Sequence, residues 1–281
     1  MALPRITHAL FHEPWLIRSS NHLAMQETLL AYLNGTHTPP PKADERIPTH
    51  RLDNRGEKQE IKRYQMFRDG VARIPMYGIM GRHLDAFDMM CGGCSIDHTQ
   101  HVLTLAANDP KVEAILLDID SPGGTITGTP ELGALIAQAR DAKPVFAYTE
   151  NLACSAAQWA ASQAHATIAT PTADLGSIGV YCAWWDETEK NAREGRELKL
   201  FAAGKYKAAG LRPLTEEEEE RMQADVERIH ENFKAAVLSN RPQVPASAME
   251  GQSINAEEAA EIGLVDVIVD GFDDALDVIT R

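Results

Sequence analysis

The chain has 281 residues, of which 44% are hydrophobic and 24% charged, the make-up of a globular protein able to bury a substantial core. Its formal charge of −14 argues against general nucleic-acid binding and against docking on an anionic membrane surface. No stretch approaches the ~18 consecutive apolar residues of a transmembrane segment, and the first ten residues lack the apolar run and small-residue cleavage site of a secretory leader, so a cytoplasmic protein is expected.

Phe11 and Trp15 precede an amphipathic stretch, 22–33, with Leu23, Thr28, Leu29, Leu30 and Leu33 near helical spacing and Asn34-Gly35 closing it. Residues 1–35 therefore predict a helical arm. Residues 36–70 are polar, with Pro39-Pro40-Pro41, and predict a flexible linker before a domain over 71–281. Cys91 and Cys94 form a Cys-Gly-Gly-Cys pair, but a four-ligand metal site needs a second pair and none has suitable spacing. A glycine-rich turn with reduced thiols is expected there, and Cys154 and Cys182 read as small core residues.

Beyond residue 71, strands are expected at 74–80, 112–120, 144–149, 166–170, 179–184 and 198–202, with helices near 97–108, 127–140, 155–164 and 186–194. This alternation predicts an α/β domain with mainly parallel strands. Thr215 followed by Glu216–Glu220 reads as a capping box on a long helix to about residue 239, its acidic first turn complementing the helix dipole. Two shorter helices, 256–262 and 272–280, close the chain.

Two strand ends carry chemistry. The strand through Asp118-Ile119-Asp120 runs into Ser121-Pro122-Gly123-Gly124, where paired glycines either make a tight turn or aim N–H groups at an anion. The next strand leads to Ser155 at a helix start. There a hydroxyl is either an N-cap or a nucleophile whose oxyanion would meet the Ala156 N–H and the positive end of the helix dipole. Lys205 and Lys207 flank Tyr206 at the end of a strand-like segment. A lysine can take the proton of a serine only where burial or neighbouring charge lowers its pKa.

Ser121-Pro122-Gly123-Gly124, Ala153-Cys154-Ser155-Ala156-Ala157, Gly176-Ser177-Ile178-Gly179 and Gly204-Lys205-Tyr206-Lys207 stand in the order of the motifs of the signal peptide peptidase A family of serine peptidases, which the chain resembles over about 71–270. The resemblance implies a Clp-protease/crotonase-like spiral of ββα units carrying a Ser/Lys dyad. Ser155 is then the nucleophile and Lys207 the general base. The N–H groups of Gly123 and Ala156 form the oxyanion hole, and Ser177 orients the lysine or is only a strand-entry turn serine. Lys205 falls outside the motif register. The histidine base of the related Clp protease falls on Val180 here, and the nearest histidine, His165, lies near the helix end, so Ser/Lys is preferred to Ser/His/Asp.

The resemblance implies no metal or cofactor, and a homo-oligomer of tetramer to octamer size in which serine and lysine can come from adjacent subunits. Strands beside the site would bind an extended polypeptide by edge pairing, with small or apolar side chains near the cut. The opening around His8 to Ile17 resembles phage and prophage capsid-assembly proteases of the same family, which implies scaffold and head proteins as substrates, in host cytoplasm or procapsid. These residues stand where the cellular enzymes have a membrane anchor, and the short helix after Asp266 does not suggest a scaffold module. The alternatives are a soluble bacterial peptidase that degrades signal peptides, and a silent scaffold or acyl-CoA-binding crotonase relative, which an intact Ser155/Lys207 pair disfavours.

Overall fold

The computed structural model describes residues 15–17, 26, 27, 30, 50–52, 58–60, 64–84 and 92–281. A six-stranded sheet organises them. Its parallel strands are β5 (Val71–Tyr77), β8 (Ala114–Asp120), β10 (Val145–Thr149), β12 (Ala166–Ala169) and β15 (Val267–Ile268), and β4 (Gln65–Met66) adds to the β5 edge antiparallel. β8 is central and buried until its last residue, as expected of an Ala-Ile-Leu-Leu-Asp-Ile-Asp run flanked by strands on both sides.

Three strands of the main sheet, β5, β8 and β10, hand the chain to short strands in a second layer and then to a helix. β8 leads to β9 (Gly123–Thr125) and α2 (Thr129–Arg140), and β10 leads to β11 (Leu152–Cys154) and α3 (Ala156–Ser162). Before them, β5 is followed by β6 (Ile79–Gly81), β7 (Gly93–Ser95) and α1 (Ile96–Asn108). The short strands form two further sheets, one ordered β1-β9-β6-β7, with β1 being Trp15–Ile17, and one ordered β11-β13-β14 from β13 (Asp174–Gly176) and β14 (Ser253–Asn255). This repeated strand, strand, helix unit with mainly parallel pairing is the α/β spiral expected. The short strands were unforeseen because two or three residues carry too little periodicity to read.

Local chemistry sets the helix bounds. Ser95 caps α1 by accepting from His98 N at 3.2 Å. The predicted capping box opens α5 (Glu216–Leu238), with Glu218 N donating to Thr215 Oγ1 at 3.3 Å and Thr215 N to the Glu218 carboxylate at 2.9 Å. All seven residues of α3 are buried, between α2 and α5. Trp159 stacks on Phe233 of α5 with ring centroids 4.8 Å apart, and its indole nitrogen lies 2.8 Å from where a Cβ on Gly133 would stand, so only glycine lets α2 come this close. Beyond α3, Asn240 Nδ2 donates to the Ser162 and Ala164 carbonyls, both at 2.8 Å, and satisfies groups the helix leaves unpaired. On the opposite face of the sheet, α7 (Phe272–Ile279) packs Ala275 and Leu276 against Val71, Leu116 and Ile168.

The helix expected over 22–33 falls largely outside the described residues. Within the expected linker, β2 (His50–Leu52) pairs antiparallel with β3 (Lys58–Glu60). Two expected strands are not formed. Over 179–184 only Tyr181 pairs, with Trp15, and 198–202 has no strand structure. Its alternation of apolar residues meets no sheet edge among the described residues, and Phe201 is 94% exposed.

Candidate active site

The ends of β8 and β10 are laced together. Ser121 N donates to the Leu152 carbonyl at 2.8 Å, and Cys154 N to the Ser121 carbonyl at 3.1 Å. This brings the Ser-Pro-Gly-Gly turn against the residue that follows β11, at the carboxyl ends of parallel strands, where open α/β sheets place their ligands. Gly123 has φ of 106°, a region L-residues rarely enter, and a Cβ there would stand 2.9 Å from Ser155 Cβ and 3.0 Å from the Cys154 carbonyl. Glycine is thus required both by its backbone and by the closeness of Ser155.

Ser155 has φ of 56° and ψ of −117°, a positive φ for a non-glycine residue at a sharp strand-to-helix turn. Such a conformation costs on the order of 1–3 kcal/mol and persists only where surrounding contacts impose it. Here Ser155 N donates to the Gly176 carbonyl at 2.8 Å, and Trp159 N to the Ser155 carbonyl at 2.9 Å. The N-cap alternative fails on geometry, since the Ser155 side chain makes no capping hydrogen bond. Its hydroxyl is left at the head of α3, beside the Ala156 N–H.

Ser177 follows directly on the Gly176 that holds Ser155. It too has positive φ, 51°, is buried, and donates its N–H to the Gln252 carbonyl at 2.7 Å. Gly123, Ser155, Ala156 and Ser177 therefore meet at one junction. Lys207 does not join them. It is exposed in a run of turns after Gly204, with its N–H on the Gly204 carbonyl at 3.1 Å, and the strand-like reading of this segment is corrected accordingly. Among the described residues, neither its ammonium nor the Ser155 hydroxyl has a hydrogen-bond partner. Lys205 is engaged elsewhere, paired with Glu217.

Neither His165 nor His230 is placed as a competing base. His165 Nδ1 accepts from Val145 N at 3.1 Å, at the end of β10 remote from Ser155, and burial, with Arg140 nearby, lowers its pKa. His230 Nε2 lies 3.1 Å from the Ile178 carbonyl and 2.7 Å from that of Met249. Both partners are acceptors, so this nitrogen carries the proton and braces the segment after Ser177. Cys94 is buried, which pushes its thiol up to about 11, and Cys91 lies outside the described residues.

Three supporting residues escaped the sequence reading. Ser121 Oγ donates to the Gly78 carbonyl at 2.6 Å and accepts the Gly123 N–H at 3.2 Å. Gln158, one turn after Ser155, accepts the Gly176 N–H at 3.2 Å, and His230 is the third. Only Ser121 lay inside a motif. The other two are distant in sequence from the backbone groups they hold, and their residue types alone do not announce such roles.

A strained, uncapped serine packed on a glycine-rich turn has the backbone geometry of a sharp strand-to-helix elbow, and a family model described as peptidase family S49 matches residues 137–280. The chain belongs to peptidase family S49. The match contains Ser155, Ala156, Ser177 and Lys207, while Gly123 lies upstream of it. Among S49-like relatives, capsid assembly protease C of Escherichia phage lambda is 29% identical over 98% of this chain and 66% of its own length. Head-tail preconnector protein GP5 of Enterobacteria phage P21 is 28% identical over 78% of this chain and 44% of its own. The chain thus spans about two thirds or less of these relatives. Among solved structures, ClpP1 from Listeria monocytogenes is similar with a TM-score of 0.42 at 13% identity, covering 72% of this chain and 92% of that one. Among the described residues no helix is long and apolar enough to cross a membrane.

Proposed function

We propose that this S49 chain is a serine endopeptidase in which Ser155 attacks a peptide carbonyl and Lys207 is the base. The carrying observation is the uncapped Ser155 hydroxyl, held at positive φ against Gly123. In the proposed reaction, neutral Lys207 takes the Oγ proton as the Oγ–C bond forms, and the carbonyl electrons move to its oxygen. The N–H groups of Ala156 and Gly123 hold that oxyanion, the latter released from its 3.2 Å bond to Ser121 Oγ. Lysine then gives the proton to the leaving amine, and water releases the acyl group by the same path. Ser177 orients the lysine.

Lys207 reaches Ser155 of a neighbouring subunit in this reading, within a tetramer to octamer. Support comes from the segment that carries it: Leu198, Phe201 and Leu211 are 60%, 94% and 62% exposed, an apolar surface without cover among the described residues. Docking on a neighbour would bury these side chains and remove the lysine from water, which favours its neutral form. By the chain's likeness to the lambda and P21 phage proteins, the substrates are scaffold or head proteins cut during procapsid maturation, in host cytoplasm or procapsid. The 71–281 region is the peptidase domain of this scheme.

The test is to incubate the protein, Ser155→Ala, Lys207→Ala and a mixture of the two variants with an unfolded polypeptide and a candidate capsid scaffold, reading fragments by mass spectrometry. Each variant alone is expected to be inactive, and the mixture to recover part of the activity. Cleavage that survives in Ser155→Ala overturns the peptidase reading. In a parallel incubation with an apolar signal peptide, cleavage of that peptide but not of scaffold would move the substrate to the signal-peptide alternative.

A further inference from the structure

β1 lies in the groove beside Ser155. It pairs antiparallel with β9 in the register Trp15 to Thr125, Leu16 to Gly124 and Ile17 to Gly123. On its other side, Trp15 N donates to the Tyr181 carbonyl at 2.9 Å and Tyr181 N to the Trp15 carbonyl at 3.3 Å. The two flanking segments are therefore the one that begins at Gly123 and the one that follows Ser177, both walls of the site built around Ser155. The strand points its carboxyl end at the nucleophile, and a Cβ on Gly123 would collide with the Leu16 carbonyl oxygen while standing 2.9 Å from Ser155 Cβ. All three residues of β1 are buried, with Leu16 wholly enclosed.

Resting on the peptidase reading of this groove, we propose that Trp15–Ile17 is an internal peptide ligand that closes the groove, and that an external polypeptide binds by taking its place. The backbone bonds that hold β1 are those any extended peptide can make, so affinity comes from strand pairing and selectivity from the pockets that receive Trp15, Leu16 and Ile17. The groove accordingly selects an extended segment with an aromatic residue followed by two aliphatic ones. The closure is reversible, because β1 is held by noncovalent contacts alone. Its local concentration on the same chain makes it a strong competitor of free peptides.

The test uses the full chain carrying Ser155→Ala, so that nothing is turned over, and a fluorescein-labelled peptide of the sequence Phe-His-Glu-Pro-Trp-Leu-Ile-Arg-Ser, read by anisotropy. Adding Leu16→Asp, which puts a charge into the buried strand, is expected to tighten probe binding by about tenfold or more, because apparent affinity scales with the fraction of molecules whose groove is open. Equal or weaker binding by a folded Leu16→Asp protein overturns the proposal. A second measurement needs no change in β1: hydrogen exchange of Leu16 and Ile17 in Ser155→Ala with saturating probe. Exchange that accelerates on binding supports displacement, and retained protection with the probe bound overturns it. Both readouts are independent of catalysis. Displacement of β1 by the probe, with no cleavage of any tested polypeptide by the Ser155 protein, would leave this inference standing and sink the peptidase reading.

Discussion

Replacing Gly123 by alanine perturbs the site at its most constrained backbone. Two costs are separable. The first is conformational, since alanine at φ of 106° is strained by about 1–3 kcal/mol. The second is local: the new methyl would lie 2.9 Å from Ser155 Cβ and collide with the Leu16 carbonyl, so the turn must move and carry the Gly123 N–H away from the oxyanion. Loss of one such donor removes about 2.7–4 kcal/mol of transition-state stabilisation, or ~10²–10³ in kcat. Gly92→Ala is the control, with φ of 92° and, among the described residues, nothing within 4 Å of its Cβ, so it carries the strain without the collision. Both variants are expected to melt a few degrees lower, by about 2–4 °C per kcal/mol for a chain of this size. Only Gly123→Ala is expected to lose kcat on a fluorogenic peptide. Displacement of β1 by the same methyl acts on KM, so the two effects separate in a full rate curve. Retention of kcat within about threefold by Gly123→Ala would refute the oxyanion assignment.

Three further outcomes are expected. Phe233→Ala removes the ring stacked on Trp159 at 4.8 Å and should cost about 3–5 kcal/mol in denaturant unfolding, whereas a loss under about 1 kcal/mol would mean that α3 does not depend on α5. Glu218 is held down to about 2 by hydrogen bonds from the Arg212 guanidinium and the Thr215 N–H, against an ordinary value of 4.5. The unfolded chain takes up this proton first, so the contribution is full above about pH 4.5 and is lost as pH falls towards 2. Acid titration of Glu218→Gln followed by circular dichroism should therefore show a shallower stability loss across that window, and an unchanged slope would contradict the assignment. Phe201→Asp alters a side chain that is 94% exposed and should leave folding stability within about 0.5 kcal/mol. Sedimentation velocity should show smaller assemblies and dilute assays lower activity; an unaltered assembly would count against docking by this segment.

The contrast between the two layers of strands says what a sequence can carry. β8 and β10 were legible because strands buried on both faces are long apolar runs, and α5 because its capping box and acidic first turn stand next to each other in the chain. β9, β11 and β13 were not, although they build the walls of the site. Each spans three residues and exists because a neighbour supplies its hydrogen bonds. The converse error, a strand over 198–202, has the same cause: a strand-like pattern needs an edge to pair with, and the described residues offer it none.

By itself the sequence determined the α/β class, the positions of the long helices and central strands, and the residues Gly123, Ser155, Ala156, Ser177 and Lys207 as candidates, since motif order and periodicity are properties of neighbouring residues. Tertiary structure alone decided that Ser155 is not an N-cap, that four of those candidates meet while Lys207 stands exposed, and that Trp15–Ile17 lies in the groove. These are relations between segments far apart in the chain. They are set by which backbone groups find partners when the sheets close, and no local pattern encodes that choice.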